Sequence, residues 1–328
     1  MINKLRNIQN LIRWNEWYNS KLSFFFLVTY YLAYVNNKIQ LQDMFLLIFI
    51  GILLISLSSF GYMLNDYSDK FEDKLTGKKN AMNLLNNQQQ FFAITLTAIL
   101  FIFAFIPFYT NKYAIVFVFL SFLFSILYSA KPFKFKKRGV WGIICVALAQ
   151  WVFPMLILFS LFEHFKMDLI LFILLSLFIG LRWILVHQII DRDRDILANV
   201  NTFVVARSPN VTYDILRVLF VIEIITLTGL VLVLIHSMFF MIIPLLVFYL
   251  IFELYLYPLW KKLSFKRMLV SYDYAPLSDL YFCWAPLWFS ILLGYLNPLF
   301  FIISVIEIVW KKNYLEFDVY LLKKRWHL

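Results

Sequence analysis

The sequence predicts an all-α, polytopic membrane protein, a bundle of nine transmembrane helices. Three observations carry this. First, 62% of the 328 residues are hydrophobic and only 15% are charged, too few polar groups to cover a soluble domain of this length. Second, the apolar residues fall in long blocks, each near the length a helix needs to cross roughly 30 Å of hydrocarbon. Third, Lys and Arg collect on alternate loops, the pattern that orients membrane chains.

In chain order the blocks are 22–35, 44–64, 91–109, 113–128, 139–162, 169–187, 215–235, 238–260 and 280–310. The first 21 residues are polar and amphipathic. They are expected to lie on the cytoplasmic surface and do not read as a short charged region before an apolar core. Cys145 and Cys283 both sit inside apolar blocks and read as small buried hydrophobes, with no disulfide framework.

Basic residues crowd segments 1–21, 65–80, 131–138, 192–207 and 261–267, whereas the intervening loops hold only Lys38, Lys112 and Lys166. The positive-inside rule then places the amino terminus on the cytoplasmic side. Nine crossings would leave the basic tail 311–328, with Lys311, Lys312, Lys323, Lys324 and Arg325, outside. Either the final block does not cross as a single span or the tail tolerates the conflict. The net charge of +11 reads as a topology signal with affinity for anionic lipid. It is split among short loops with no single long stripe, so nucleic acid is not an expected partner.

Two acidic stretches stand at the ends of apolar blocks. Asn65, Asp69, Asp73 and Gly77 are spaced by four, and so are His187, Asp191, Asp195 and Asn199. Residues four apart share a helix face, so each stretch presents a stacked polar ladder. Like charges at this spacing repel, and a helix bearing them needs an external cation. A solvated acidic loop would not repeat helical spacing at two distant block ends. A calcium loop of the helix–loop–helix type needs ligands at alternate positions and a closing Glu, which neither stretch has. The remaining reading is a pair of ladders that hold Mg²⁺ together with a diphosphate, because hard Mg²⁺ takes carboxylate oxygens and substrate phosphates.

A diphosphate held at the mouth of an apolar bundle suits an isoprenoid diphosphate, whose head needs ions and whose tail needs hydrocarbon. Ionising its carbon–oxygen bond gives an allylic cation and pyrophosphate. Metal ions stabilise the leaving group, and aromatic faces stabilise the cation. Loop 128–139 lies on the same expected side. Its Lys131, Lys134, Lys136, Lys137 and Arg138 either hold pyrophosphate oxygens or simply anchor the loop on the inner side. Pro132 and the flanking aromatics favour Lys134 and Lys136 for the first role.

These motifs resemble those of the UbiA superfamily of intramembrane prenyltransferases. The N-D-x-x-D-x-x-x-D element is met by Asn65, Asp66, Asp69 and Asp73. The D-x-x-x-D-x-x-x-G-x-x-T element is met by Asp191, Asp195 and Thr202, with Asn199 in the glycine position. Tyr128, Ser129, Pro132, Lys134 and Lys136 look like Y-S-x-x-P-x-R-x-K with lysine for arginine. The resemblance covers nearly the whole chain and implies a single integral-membrane domain over 1–328, folded as a nine-helix bundle that opens laterally to lipid.

It also implies roles. Asp66, Asp69, Asp73, Asp191 and Asp195 would be catalytic, with Asn65, Asp69, Asp73, Asp191 and Asp195 as Mg²⁺ ligands. Asn65, Tyr128, Lys134 and Lys136 would bind the diphosphate; position beside Asp191 adds Gln188, and Asn199, which departs from the family's glycine, could add a polar contact to the head group. Asn199 could instead tighten the turn after the helix. The substrates would be an isoprenoid diphosphate and a lipophilic or aromatic acceptor, reached from the surrounding lipids in a bacterial inner, or cell, membrane.

Position alone suggests His187, Tyr272 and Asp273 for the acceptor or entrance, with Asp279 nearby. Arg182, deep in the sixth block, is costly in hydrocarbon and needs either a partner such as Glu223 or a substrate role; Glu253 and Glu307 are unassigned. Two rivals to prenyl transfer stand. A membrane terpene cyclase would begin with the same ionisation. A transporter would more naturally carry its polar groups near the bilayer midplane.

Overall fold

The computed structural model describes residues 8–261, 263–270 and 276–326. After a short helix Trp14–Trp17 and a π-helical turn Tyr18–Leu22, the chain forms α1 (Ser23–Val35), α2 (Leu41–Leu75), α3 (Asn87–Phe105) and α4 (Lys112–Ser129). There follow α5 (Val140–Ala147), a π-helical turn Leu148–Val152, α6 (Phe153–Leu161), α7 (Met167–Leu197) and α8 (Pro209–Trp260). A third π-helical turn, Leu280–Trp284, leads into α9 (Ala285–Leu296), α10 (Phe301–Trp310) and α11 (Lys312–Trp326). Six helices among the described residues are long and apolar enough to cross a membrane, and three shorter apolar ones accompany them.

Local chemistry sets the starts. Gln40 with Asp43, and Asn86 with Gln89, form reciprocal caps on α2 and α3, each satisfying two otherwise orphaned groups. Asn111 accepts from Ala114 N at 2.9 Å to start α4. Exposed Phe103, Phe119, Ile225 and Phe240 lie on α3, α4 and α8, as expected of faces turned to lipid. Buried Phe24, Leu53, Met155, Phe159 and Phe282 form one core between the rods.

Arg182 and Glu223 are fully buried and paired, Nε–Oε2 at 2.6 Å and Nη2–Oε1 at 2.9 Å. The charge that is costly in hydrocarbon is therefore met by a structural partner joining α7 to α8. The stretch α8 is two rods that fold back at Met238, whose φ of −137° is not helical, so that Lys266 Nζ lies 3.8 Å over the Tyr213 ring and the rings of Phe220 and Phe265 are 5.9 Å apart; the sequence separates blocks 215–235 and 238–260 there.

The last block differs from the expected single span. Asn297 is extended at φ −141°, ψ 112°, just ahead of Pro298, and a residue before proline is driven out of the α region. The chain turns back there. Gly294 packs so closely on Phe301 that an added Cβ would lie 2.5 Å from its ring, so α9 and α10 form a tight hairpin. At the turn, Asn297 Nδ2 donates to Ile39 O at 2.8 Å, beyond the carboxyl end of α1. At the other end of the hairpin Lys311 donates to Ser23 at the start of α1, and the rings of Trp14 and Trp310 lie 6.1 Å apart. The basic tail therefore begins at the same end of the bundle as the amino-terminal segment. Of the two alternatives the sequence left open, this is the first: the block supplies two short rods where one crossing was drawn.

Candidate active site

Helix α2 has 35 residues, about 52 Å at 1.5 Å per residue, and α7 has 31. Both exceed roughly 30 Å of hydrocarbon, so their carboxyl-terminal turns continue past the apolar stretch. Those turns are the ladders. Asn65, Asp69, Asp73, Tyr128, Lys136, His187, Gln188, Asp191, Asp195 and Thr202 all line one open cleft of about 740 Å³. Residues far apart in the chain are thus brought to opposite walls of a single space.

The two ladder helices end in the same way. After α2, Gly77 has φ +70° and Lys78 N donates to Asp73 O at 2.9 Å. After α7, Asn199 has φ +54° and Val200 N donates to Asp195 O at 2.8 Å. Each is a left-handed cap closed by a bond back to the last ladder aspartate. Glycine adopts that conformation freely, and asparagine tolerates it better than most other residues. Asn199 is exposed and does not line the cleft, so its expected contact with the head group gives way to the turn-closing role.

Asp66 is also displaced from expectation. One residue on from Asn65 it points about 100° around the helix, away from the cleft, and is buried against Arg13 Nη1 at 3.3 Å. Lys134 is committed elsewhere too. Its Nζ lies 2.7 Å from Glu72 and 3.5 Å from Asp69, and it donates to Ser68 O at 3.2 Å. Lys136 does line the cleft, between Asn65 Oδ1 at 3.1 Å and Asp69, to which it also donates. Burial lowers the Lys136 ammonium from its ordinary value, and the Asp69 carboxylate opposes that shift. The lysines of this loop therefore act first as charge partners of the α2 ladder.

On the other wall, Asp191 accepts from Lys78 Nζ at 3.0 Å and Arg194 Nη1 at 3.2 Å, with His187 Nε2 at 3.6 Å. Gln188 Oε1 accepts from Val204 N at 3.4 Å, holding the chain after α7. Thr202 bridges in parallel to Gly139, tying that same segment to the end of the basic loop.

Arg13, Lys78 and Asn80 were missed in the sequence. Arg13 and Lys78 line the cleft. Asn80 Nδ2 donates to Asp73 Oδ2 at 2.7 Å and to Asp66 O at 2.8 Å, folding the loop back on α2. The one available signal was the K-K-N run directly after Gly77. Tyr272 and Asp273 lie outside the described residues. Asp279 is away from the cleft, accepting from Tyr249 Oη at 2.8 Å.

Among the described residues no three acidic, imidazole or thiol groups converge into a ready metal cage. The donor set nonetheless fits Mg²⁺, which is held by one or two carboxylates and completes its shell with phosphates and water. Asn65, Asp69 and Asp73 on one wall and Asp191 and Asp195 on the other are hard oxygen donors facing one cleft.

A polytopic all-α membrane protein with an acidic two-walled cleft at one end is the class these features define. The sequence model of the UbiA prenyltransferase family matches residues 22–268, most of the chain, and the chain belongs to that family. Among curated proteins, none matches the sequence. Among solved structures, a UbiA homolog from Archaeoglobus fulgidus bound to GPP and Mg²⁺ is similar at a TM-score of 0.57 and 16% identity, over 97% of this chain and 99% of that one. The same homolog bound to DMAPP and Mg²⁺ is similar at 0.57 and 16%, over 96% and 98%. At that identity the likeness establishes the fold.

Proposed function

We propose that the cleft ionises an isoprenoid diphosphate at its carbon–oxygen bond and transfers the prenyl group to a lipophilic or aromatic acceptor, which forms the new bond and gives up a proton as pyrophosphate leaves. The observation that carries this reading is the convergence of both aspartate ladders on one cleft at the end of the apolar rods. The solved relatives' bound GPP, DMAPP and Mg²⁺ support it. Asn65, Asp69, Asp73, Asp191 and Asp195 would hold Mg²⁺, which supplies positive charge to the departing diphosphate.

The chain's own groups do the rest. Lys136 and Arg13 line the cleft and offer ammonium and guanidinium donors to phosphate oxygens. Tyr128 also lines the cleft, where its hydroxyl would donate to a phosphate oxygen. The apolar rods exclude water, so the cation meets the acceptor before it meets hydroxide. In the same reading the whole chain is one catalytic domain of nine apolar blocks, the last folded as a hairpin. The cleft faces the cytoplasm, as the basic loops favour.

The test is pyrophosphate release from geranyl diphosphate by the full chain in lipid nanodiscs. Asp69→Asn and Asp191→Asn should each reduce it by at least about a hundredfold. EDTA should abolish it and added Mg²⁺ restore it. Full turnover in both variants would refute the reading.

A further inference from the structure

Past its apolar stretch, α2 has two distinct faces. One carries Asn65, Asp69 and Asp73 into the cleft. The other carries Tyr67, Phe71 and Leu75, which are also four apart and so also aligned. Two residues along a helix turn about 200° around it, so this second row is the back of the ladder. It is apolar and open, with Phe71 73% exposed and Leu75 67%. An apolar row rimmed by charge marks a surface that something else covers.

The level of the row in the membrane follows from α3. Lys70 Nζ donates to Gln90 Oε1 at 2.7 Å, which sets residue 70 of α2 level with the first turn of α3. The exposed apolar face of α3 begins there, with Phe91 and Phe92, and runs on through Leu96 and Phe103. The edge of the hydrocarbon therefore passes close to Lys70. Leu75 is farther out by about 7.5 Å, at 1.5 Å per residue. The headgroup layer on each side of a bilayer is about 5–8 Å deep, so Phe71 and Leu75 fall inside it. Tyr67, with Lys70 Nζ 4.4 Å over its ring, stands at the hydrocarbon edge, where tyrosine is favoured.

Charge points to the same partner. The lysines toward the cleft are paired with carboxylates: Lys78 with Asp191, Lys136 with Asp69, and Lys134 and Lys137 with Glu72. Lys70 and the exposed Lys74 flank the apolar row, and neither has a carboxylate at ion-pair distance among the described residues. Apolar side chains beside uncompensated ammonium groups suit a phospholipid surface of negative charge.

We propose that the back of the α2 ladder is a binding site for anionic lipid. Phe71 and Leu75 sit among the headgroups and the first acyl carbons, and Lys70 and Lys74 bind the lipid phosphate. The wall that carries Asn65, Asp69 and Asp73 then has lipid behind it and the cleft in front. Anionic lipid braces the ladder from behind and keeps the mouth of the cleft at headgroup level. This site stands whether or not the cleft transfers a prenyl group.

The experiment places a bimane label on Leu75→Cys in the full chain, in nanodiscs of phosphatidylcholine mixed with phosphatidylglycerol. Cys145 and Cys283 are buried and stay unlabelled. Phosphatidylglycerol spin-labelled high on its acyl chain should quench the bimane at least about threefold better than phosphatidylcholine labelled at the same carbon, the preference that one or two lysines near the surface produce. Aqueous iodide should quench it weakly. Lys70→Gln with Lys74→Gln should bring the lipid ratio to about one, and Lys70→Arg with Lys74→Arg should keep it. Lys74→Gln alone changes only an exposed side chain, so it leaves the fold intact and should still lower the ratio. Strong iodide quenching without lipid quenching puts the row in water and overturns the proposal. Shielding from both quenchers means that protein covers the row, a second copy of this chain included, and overturns it too. So does equal quenching by the two lipids in the otherwise native chain, or a preference that survives both Gln substitutions.

Discussion

The two aspartate ladders are alike in spacing and in their left-handed caps, but not in how their charge is met. Around the α2 ladder, Lys136 is bonded to Asp69, Lys134 and Lys137 reach Glu72 at 2.7 and 2.8 Å, and Arg13 reaches Asp66 at 3.3 Å. On the α7 ladder, Asp191 has Lys78, 3.0 Å away and borrowed from the loop after α2, and Arg194 from its own helix, 58% exposed. Asp195 has no ammonium or guanidinium at ion-pair distance among the described residues. The α2 ladder helix is thus tied into the scaffold mostly by buried cations, and the α7 ladder by more exposed ones. Each keeps one aspartate, Asp73 or Asp195, without an ion-pair partner among the described residues for whatever enters the cleft.

That difference can be broken most forcefully at Lys136. Lys136→Met leaves Asp69 largely buried without its closest cation. It should lower pyrophosphate release about a hundredfold and cost about 3 kcal/mol of stability, read from turnover and from thermal melting in detergent. Lys78→Met should spare the melting temperature and act on the metal. Freed of a competing ion pair worth about 1 kcal/mol, the α7 ladder should bind Mg²⁺ about fivefold more tightly in the absence of donor, as calorimetry would show. Equal melting losses in the two variants would erase the distinction between buried and exposed ion pairs.

The caps sharpen the likeness. Asn199→Val should cost about 1–2 kcal/mol, since a branched side chain resists the left-handed region. Asn199→Gly should stay within about 1 kcal/mol of the native chain, with the donor's KM unchanged. A large KM change in the glycine variant would return Asn199 to the head-group site.

Much of this was legible in the sequence because helical spacing is a strong constraint. Positions 65, 69 and 73 share a face whatever surrounds them, and so do 187, 191 and 195. The same rule excludes Asp66 from that face, a consequence hidden while the motif is read as a string of letters. The turn at Asn297 was also written in the chain, as the dipeptide Asn297-Pro298, but a long apolar run masked it. The bond from Lys21 Nζ to Gln150 Oε1, between the π-helical turns Tyr18–Leu22 and Leu148–Val152, left no such trace. A π-helical turn has no sequence signature, and only the packed rods reveal that two of these turns face each other. The charge partners of the ladders were equally hidden, because a basic loop on the inner side satisfies the orientation rule wherever its ammonium groups end up.

The hairpin of α9 and α10 has a practical consequence. With Lys311 seated against Ser23 and Asn313 Nδ2 donating to Tyr18 Oη at 3.3 Å, the first turn of α11 lies beside the segment that leads into α1, so both flanks of the apolar bundle belong to one end of it. A reporter whose signal depends on compartment, fused at either extremity, should give the same colour.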